Sequence, residues 1–228
     1  MRSVFLLAAF LVLTCSGAAY GGGSATQSAK DKIAASLVNG SGRPDAGLPK
    51  TAGWGAKTPK AGDPIAIIHT SMGRIVLKFF PQVAPHHVKN FISLAKKGFY
   101  NGTLFHRVIP GFMIQGGDPN TKQPDQSQWG LGGPGYNVKA EFNDVSHNPG
   151  ILSMARADDP DSAGSQFFIV HRPAHQLDHQ YTVFGEVIEG MDVVDKIVNT
   201  PTGDQNRPLK NVVITKVEVV KWPVKLHR

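Results

Sequence analysis

The chain has 228 residues, of which 41% are hydrophobic and 18% charged, and its 24 basic and 17 acidic side chains give a net charge of +7. This balance can bury a substantial core, so it excludes wholesale disorder and a fibrous architecture. Most of the positive excess precedes residue 61, and no Lys/Arg run or basic-aromatic alternation follows, so nucleic acid is not an expected partner.

Residues 1–19 have the three-part layout of a secretory signal peptide. Arg2 precedes an unbroken run of ten apolar residues at positions 4–13, and small residues end the segment at Ala18 and Ala19. Such a run is too short to span a bilayer, so no stable membrane insertion of the mature chain is expected. Cleavage after Ala18 or Ala19 would also remove Cys15, the only cysteine. Acylation of Cys15 is an alternative, although a threonine precedes it where lipoprotein signals usually carry a small residue.

Residues 20–60 are rich in Gly, Ser, Ala, Thr, Pro and Lys and contain one short apolar patch at positions 33–38. A segment of this composition cannot offset its own ordering entropy, so we expect a flexible tether. The residue pattern changes at residue 61, where apolar stretches become frequent. We expect a single compact domain over residues 61–222, followed by a tail over residues 223–228.

Within this domain, short apolar stretches with strand character alternate with Gly and Pro. Pro85 begins a predicted helix with apolar residues at helical spacing and Gly98 as its stop, and a second helix is predicted over residues 191–199. Many short strands with two helices favour an antiparallel barrel, because closure removes exposed strand edges. Strands are predicted at residues 65–69, 73–80, 112–115, 151–154, 166–170, 182–187 and 212–220.

The histidines do not indicate a metal site. His171, His175 and His179 have the spacing of one helical face, but Pro173 would confine His171 to the start of such a helix. Loop histidines are the favoured interpretation, and the chain has no CxxC or HExxH pattern. We therefore expect no metal.

Two further kinds of site fit the sequence poorly. Ser165 lacks the second glycine of a nucleophile elbow, which disfavours a serine hydrolase. The glycine-rich segment at residues 130–135 lacks the Lys-Ser/Thr ending of a phosphate loop, and no helical pattern follows it. We interpret this segment as a surface turn.

One segment is unusually rich in side chains that could bind a ligand, because an arginine, two large apolar side chains and an amide lie within nine positions. It is Phe105-His106-Arg107-Val108-Ile109-Pro110-Gly111-Phe112-Met113-Ile114-Gln115-Gly116-Gly117-Asp118. On a strand from Phe112, Met113 and Gln115 would share one face, and Arg107 could approach across the preceding turn. A guanidinium beside an apolar surface suits an uncharged ligand that carries a carbonyl group. Taken alone, however, the segment could equally be ordinary core.

This segment resembles the signature of the cyclophilins, the peptidyl-prolyl cis-trans isomerases with a closed eight-stranded antiparallel β-barrel capped by two α-helices. Three further segments resemble the family in the same order, and the similarity spans roughly residues 63–221. They are Gly150-Ile151-Leu152-Ser153-Met154-Ala155-Arg156, Gly164-Ser165-Gln166-Phe167-Phe168-Ile169 and Val183-Phe184-Gly185-Glu186-Val187. The resemblance implies a mainly β fold, prolyl isomerase activity without a cofactor, and proline-containing polypeptides as clients.

Residue by residue, the resemblance makes Arg107 the catalytic guanidinium and Gln115 the amide that helps to hold the substrate carbonyl. It implies that Arg156 contacts substrate through its backbone and that Gln166 supports Arg107 or the bound chain. It also implies apolar walls around the proline ring, namely Phe112, Met113, Phe168 and Leu177. Ala155 would line the peptide groove. Tyr181, where the sequence departs from the family, would lie against the proline pocket.

Two positions depart from the best-known eukaryotic pattern of the family. Gln176 stands where many members have tryptophan, and Tyr181 stands where they have histidine. Tyr181 keeps an aromatic edge and a polar tip, so catalysis should survive. The missing indole removes a contact surface and a hydrogen-bond donor, so we expect weakened binding of cyclosporin-like inhibitors.

The sequence leaves more than one interpretation of the activity and of the compartment. A proline-binding module or holdase would use the same groove without turnover, but it could lose Arg107 freely, and here Arg107 is present. We expect an exported monomer that serves exported proteins, in a periplasm or in the exterior. A eukaryotic secretory lumen or a lipid anchor through Cys15 are the alternatives, and a mature chain without cysteine suits any oxidising space.

Overall fold

The computed structural model describes residues 58–223, so the segments predicted as signal peptide and tether lie almost wholly outside it, as does most of the predicted tail. Among the described residues, no helix is long and apolar enough to cross a bilayer. The elements are the strands β1 (Pro64–Thr70), β2 (Gly73–Phe79), β3 (Arg107–Ile109), β4 (Met113–Gly116), β5 (Ile151–Met154), β6 (Phe167–Val170), β7 (Val183–Glu189) and β8 (Ile214–Lys221), and the helices α1 (Pro85–Lys96) and α2 (Met191–Val198).

The seven predicted strands and both predicted helices are present, with ends within two residues of their predicted positions. The sequence analysis missed β3, which has only three residues, and several short 3₁₀ turns. Such elements are too short to show a period of their own, so hydrophobic patterning does not detect them.

The eight strands form one antiparallel sheet in the order β3-β4-β6-β5-β7-β2-β1-β8. The sheet is a strongly curled half-barrel, and the predicted full closure is not confirmed, because β3 and β8 are its two edges and do not pair. The segment just before β3 still meets the start of β8, through an isolated bridge between Leu104 and Val213. Ile214 of β8 also accepts a hydrogen bond from Gly102 N–H and donates to Thr103 C=O, both over 2.8 Å. Since β3 is so short, it offers no ladder that could pair with β8.

Helix α1 packs against β7 and β8. Pro85 begins it, where a missing N–H costs nothing, and Gly98 follows its end with a φ of +70°. Phe91 on its buried face is fully covered and contacts the rings of Phe79, Tyr100, Phe167 and Phe184 at centroid distances of 4.9 to 5.7 Å. Each such ring pair adds to the burial energy of large aromatic side chains.

The sheet separates two apolar clusters, because side chains alternate along each strand. On β6, Phe167 and Ile169 belong to the large cluster that also contains Phe91. Phe168 and Val170 belong to a second, smaller cluster on the other face. On β4, Ile114 and Met113 divide between the clusters in the same way. The second cluster therefore presents apolar side chains outside the core of the half-barrel.

Candidate active site

A groove lies over the second apolar cluster. It contains a cavity of about 140 Å3. Nine of the ten predicted site residues line this cavity, and Gln166 lines the depression next to it. The nine are Arg107, Phe112, Met113, Gln115, Ala155, Arg156, Phe168, Leu177 and Tyr181. The structure thus brings together side chains that are up to 74 positions apart in the sequence.

A tight hairpin places Arg107 beside Gln115. The turn from β3 to β4 runs through Pro110 and Gly111, with Phe112 N–H donating to Ile109 C=O over 3.0 Å. Gly111 has a φ of +78°, which favours glycine, and a Pro-Gly pair at these positions is typical of a type II turn. The resulting register pairs Arg107 directly with Gln115. Residues directly opposite each other on paired strands have neighbouring side chains.

Three side chains form a directed chain of hydrogen bonds along the groove. Arg107 Nη1 donates to Gln115 Oε1 over 3.4 Å, and Gln115 Nε2 donates to Gln166 Oε1 over 3.0 Å. Gln166 Nε2 then donates to the backbone carbonyls of Gly130 and Gly132, at 2.9 and 2.8 Å. Gln166 therefore supports Arg107 indirectly, through Gln115, which refines the sequence-based expectation for this residue.

The apolar part of the groove is centred on Phe168. Its ring meets the edge of Tyr181 at a centroid distance of 5.8 Å and an interplanar angle of 82°. Met113 and Leu177 are buried in the same cluster, with 2% and 4% of their surface exposed. These side chains form a concave apolar surface next to the Arg107 guanidinium.

A buried polar network supports Phe168 from behind, and sequence analysis did not identify it. The ring of His147 stacks on Phe168 at a centroid distance of 6.0 Å. His147 Nδ1 lies 2.8 Å from Asp178 Oδ1, and its Nε2 lies 3.0 Å from Ser153 Oγ. The Ser153 hydroxyl donates to Thr182 C=O over 3.1 Å, and Ser153 is fully buried, so this serine cannot act on an external substrate.

Arg156 closes one side of the groove. Its guanidinium lies 4.8 Å from the centre of the Tyr181 ring, within the range of a cation–π contact. The side chain also donates to the backbone carbonyls of Ala157, Asp158 and Gln180. The Arg156 side chain, and not only its backbone, therefore shapes the groove.

The groove has two walls of different construction. We call Arg107, Met113, Gln115 and Phe168, all on paired strands, the strand wall. A second set of lining residues comes from two segments between named elements, and we call this set the loop wall. They are Trp129, Gly130, Leu131, Gln205 and Arg207.

None of the loop-wall residues is among the site residues predicted from the sequence. The glycine-rich segment does lie on the surface, and Leu131 is 73% exposed. It also lines the groove and accepts the hydrogen bonds of Gln166, which its composition gives no means to foresee. In retrospect, an isolated Trp129 directly before this segment was the one signal of a contact surface.

His106 lies between the two walls. It lines the groove beside Arg107, and a Cβ built on Gly130 would lie 3.9 Å from its Nε2. Burial lowers the pKa of His106 to about 4, with the charges of Arg107 and Arg207 acting in the same direction and that of Asp118 opposing them. His106 is therefore neutral near pH 7.

The three histidines with helical spacing in the sequence lie in separate settings. His171 follows β6, and its ring accepts a hydrogen bond from Gly111 N–H and pairs with Asp195 at 3.0 Å. His175 begins a 3₁₀ turn, and His179 lies beyond it with a φ of +59°. His171 thus fixes the hairpin turn that carries the strand wall.

The two departures from the eukaryotic pattern occupy different places. Tyr181 lines the groove as described above. Gln176 lies in the 3₁₀ turn His175–Leu177, is exposed, and accepts a hydrogen bond from Gln180 Nε2 through its backbone carbonyl. A larger side chain at position 176 would have open space at the rim.

Residues 65–219 match the family described as cyclophilin type peptidyl-prolyl cis-trans isomerase/CLD. The chain is 43% identical over 159 residues to peptidyl-prolyl cis-trans isomerase-like 1 of Homo sapiens, and the match covers 67% of this chain and 90% of that protein. It is 40% identical over 160 residues to peptidyl-prolyl cis-trans isomerase-like 2 of Gibberella zeae, a match that covers 69% of this chain but 27% of that longer relative.

A solved structure shares the fold. A cyclophilin type peptidyl-prolyl cis-trans isomerase of Cryptosporidium parvum, crystallised in the presence of the dipeptide Ala-Pro, superimposes with a TM-score of 0.63 and is 32% identical. The similarity covers 69% of this chain and 99% of that one.

Proposed function

This chain belongs to the cyclophilin-type peptidyl-prolyl cis-trans isomerases, and we propose that it assists the folding of exported polypeptides by rotating their Xaa-Pro bonds, with Arg107 as the catalytic group. The single observation that carries the catalytic assignment is the position of Arg107. Its guanidinium is hydrogen-bonded to Gln115 and borders the apolar surface made by Phe168 and Met113.

The chemistry follows from the structure of the prolyl amide. Rotation meets a barrier of about 18 to 20 kcal/mol because the nitrogen lone pair is delocalised into the carbonyl. At the twisted transition state that lone pair is localised on nitrogen. A guanidinium that donates to it stabilises the transition state more than either planar ground state, which is the condition for catalysis. No proton is transferred and no covalent bond breaks, so the reaction needs no cofactor.

Arginine suits this task better than lysine. Its planar fork can donate to the nitrogen and the carbonyl together, whereas an ammonium is a strongly hydrated point charge. The bonds from Arg107 to Gln115 and from Gln115 to Gln166 hold the fork in one orientation. A donor that is already oriented loses little freedom when the transition state forms.

We assign the other groove residues to substrate binding. Phe112, Met113, Phe168, Leu177 and Tyr181 hold the proline ring while the other side of the amide turns. Gln115 helps to hold the substrate carbonyl, and Ala155 and Arg156 line the path of the peptide. Such a groove contacts one proline and a few backbone groups of the substrate, so we expect the enzyme to accept a broad range of exposed Xaa-Pro segments.

The direct test is the cis-to-trans exchange of a short Xaa-Pro peptide, followed by NMR with the full chain and with Arg107→Ala. We expect the variant to lose about two orders of magnitude or more in kcat/KM with its fold intact, since the guanidinium would donate two charge-assisted hydrogen bonds, each worth about 1.5 to 3 kcal/mol. Near-normal turnover by the variant would contradict the assignment. If the wild-type chain bound peptide without accelerating exchange, it would be a proline-binding module.

Export is proposed from residues 1–19 alone, which lie outside the described structure. Fractionation of the native host and intact mass measurement of the protein would test it. We expect a protein that begins at residue 19 or 20, in a periplasmic, secreted or luminal fraction. A protein that begins at Cys15 with added acyl mass would establish lipidation instead, and an uncleaved chain in the cytosol would contradict export.

A further inference from the structure

Positive charge dominates the groove. Three of the residues that line its cavity are arginines, Arg107, Arg156 and Arg207, whereas none of its lining residues among positions 58–223 is an aspartate or a glutamate. The domain as a whole does not share this bias, because residues 61–228 carry 17 basic and 15 acidic side chains. The charge of the groove is therefore local.

Arg207 is the guanidinium of the loop wall. It lies 5.6 Å from the centre of the Trp129 ring, and Trp129 Nε1 donates to Gln123 C=O over 3.0 Å, which fixes the indole. Arg207 Nη2 donates to Gln205 Oε1 over 2.5 Å. A guanidinium held over an aromatic ring by a cation–π contact keeps N–H donors for a further acceptor.

The backbone that presents Arg207 is strained. Gln205 and Asn206 both have a φ of +57°, a conformation that costs free energy for residues other than glycine. The turn is closed by hydrogen bonds from Gly203 N–H to Arg207 C=O and from Arg207 N–H to Asp204 C=O, at 2.8 and 3.2 Å. Strain of this kind persists only where the surrounding structure over-determines the backbone, and it is frequent at ligand-binding sites.

No carboxylate of the described residues neutralises Arg207. The salt bridges within positions 58–223 do not include it, and the adjacent Asp204 is exposed and forms no ion pair with it. Asp118, which acts on His106, is fully buried and accepts hydrogen bonds from Asn120 N–H and Gly130 N–H instead. Arg207 is thus a cation at the groove with capacity for an external anion.

We propose that the groove selects Xaa-Pro segments that carry an acidic side chain near the proline, and that Arg207, held over the Trp129 ring, is the residue that binds this carboxylate. The inference rests on the proposed isomerase function and names the substrate class of the same groove. Arg207 is a specificity-determining residue here, whereas Arg107 remains the catalytic one. A guanidinium and a carboxylate can form two parallel hydrogen bonds, which adds geometric selectivity to the charge attraction.

The test uses the full chain and matched peptides that differ by Glu or Gln at single positions from two before to two after the proline. We expect kcat/KM to favour Glu by about two- to tenfold at one position or more in low salt, and the ratio to fall towards one as salt screens the pair. Arg207→Gln should bring the ratio close to one, and Arg207→Lys, which keeps the charge, should retain part of it.

Lys210→Gln is the matched control, because it removes the same charge from an exposed side chain that does not line the groove. It should keep the wild-type ratio. Equal rates for all Glu and Gln peptides would overturn the proposal, as would a preference that survives in Arg207→Gln or disappears in Lys210→Gln. If no peptide were isomerised, the proposed function would fail, and the ratio of peptide dissociation constants from NMR titration would still test Arg207.

Discussion

The strand wall and the loop wall face the same groove but are held in different ways. Arg107, Met113, Gln115 and Phe168 lie on paired strands, so backbone hydrogen bonds on both sides of β4 and β6 fix their positions. The loop wall has no strand ladder and depends on local turns and on individual side-chain bonds, such as those of Gln166 to Gly130 and of Arg207 to Gln205.

This difference suggests a division of labour within the groove. Stabilising a transition state requires donors that are fixed to a fraction of an ångström, and paired strands provide that rigidity. Choosing among peptides tolerates looser geometry, and loops can vary without disturbing the sheet. We infer that the strand wall stabilises the transition state and that the loop wall determines which peptide segments bind.

The largest expected effect concerns His106, which joins the two walls. Its pKa is lowered to about 4 in the folded chain, while the unfolded chain takes up the proton near pH 6.5. Above pH 6.5 both states are neutral at this position and stability is unaffected. As the pH falls from 6.5 towards 4, the unfolded state binds more protons, so the fold loses up to about 3 kcal/mol.

Burial also lowers the pKa values of His87, His147 and His171, so these residues act in the same direction. Urea denaturation between pH 8 and pH 4.5 would measure the loss of stability. His106→Gln should flatten the acid side of the profile. A wild-type stability that stays level from pH 7 to pH 4.5 would show that His106 is not held neutral.

The next effect tests whether the loop wall aligns the strand wall. Gln166→Leu removes the bonds to Gln115 and to both glycine carbonyls, so the Arg107 guanidinium should lose its fixed orientation. We expect kcat/KM to fall about tenfold, the equivalent of about 1.4 kcal/mol, mainly through kcat. Gln128→Leu, at an exposed position, is the control and should match the wild type. An unchanged kcat in Gln166→Leu would mean that the two walls are independent.

The smallest effect concerns the rim at position 176. The wild-type chain should bind cyclosporin only weakly, since the exposed Gln176 offers neither an indole donor nor a large contact surface. Gln176→Trp should tighten inhibition severalfold, and Gln128→Trp should not. Inhibition assays with the peptide substrate would show this, and nanomolar inhibition of the wild type would refute the prediction.

The sequence predicts the strand wall better than the loop wall for a physical reason. The dense segment from Phe105 to Asp118 and the alternation of Phe167 and Phe168 reflect local rules of strand and turn. Arg107 and Gln115 are eight positions apart, so one Pro-Gly turn suffices to pair them. The family resemblance supplied their chemical roles, which residue spacing alone left open.

The remaining parts of the site depend on contacts between distant segments. Trp129 and Arg207 meet across 78 positions, and neither lies in a strand or α-helix that a hydrophobic period could reveal. The stacking of His147 on Phe168 likewise requires the folded sheet. The predicted closure of the barrel was not confirmed because pattern analysis counts strands but cannot show that an edge strand is as short as β3.

The most direct measurement of the central claim is the exchange rate of an Xaa-Pro peptide while it is bound, obtained by NMR at saturating concentrations of wild type and Arg107→Ala. Saturation removes any effect of weaker binding from the comparison. We predict that the variant still binds the peptide in the apolar cluster but rotates it at least about 100-fold more slowly. Bound peptide that exchanges at nearly the wild-type rate in Arg107→Ala would show that the strand wall does not carry the chemistry.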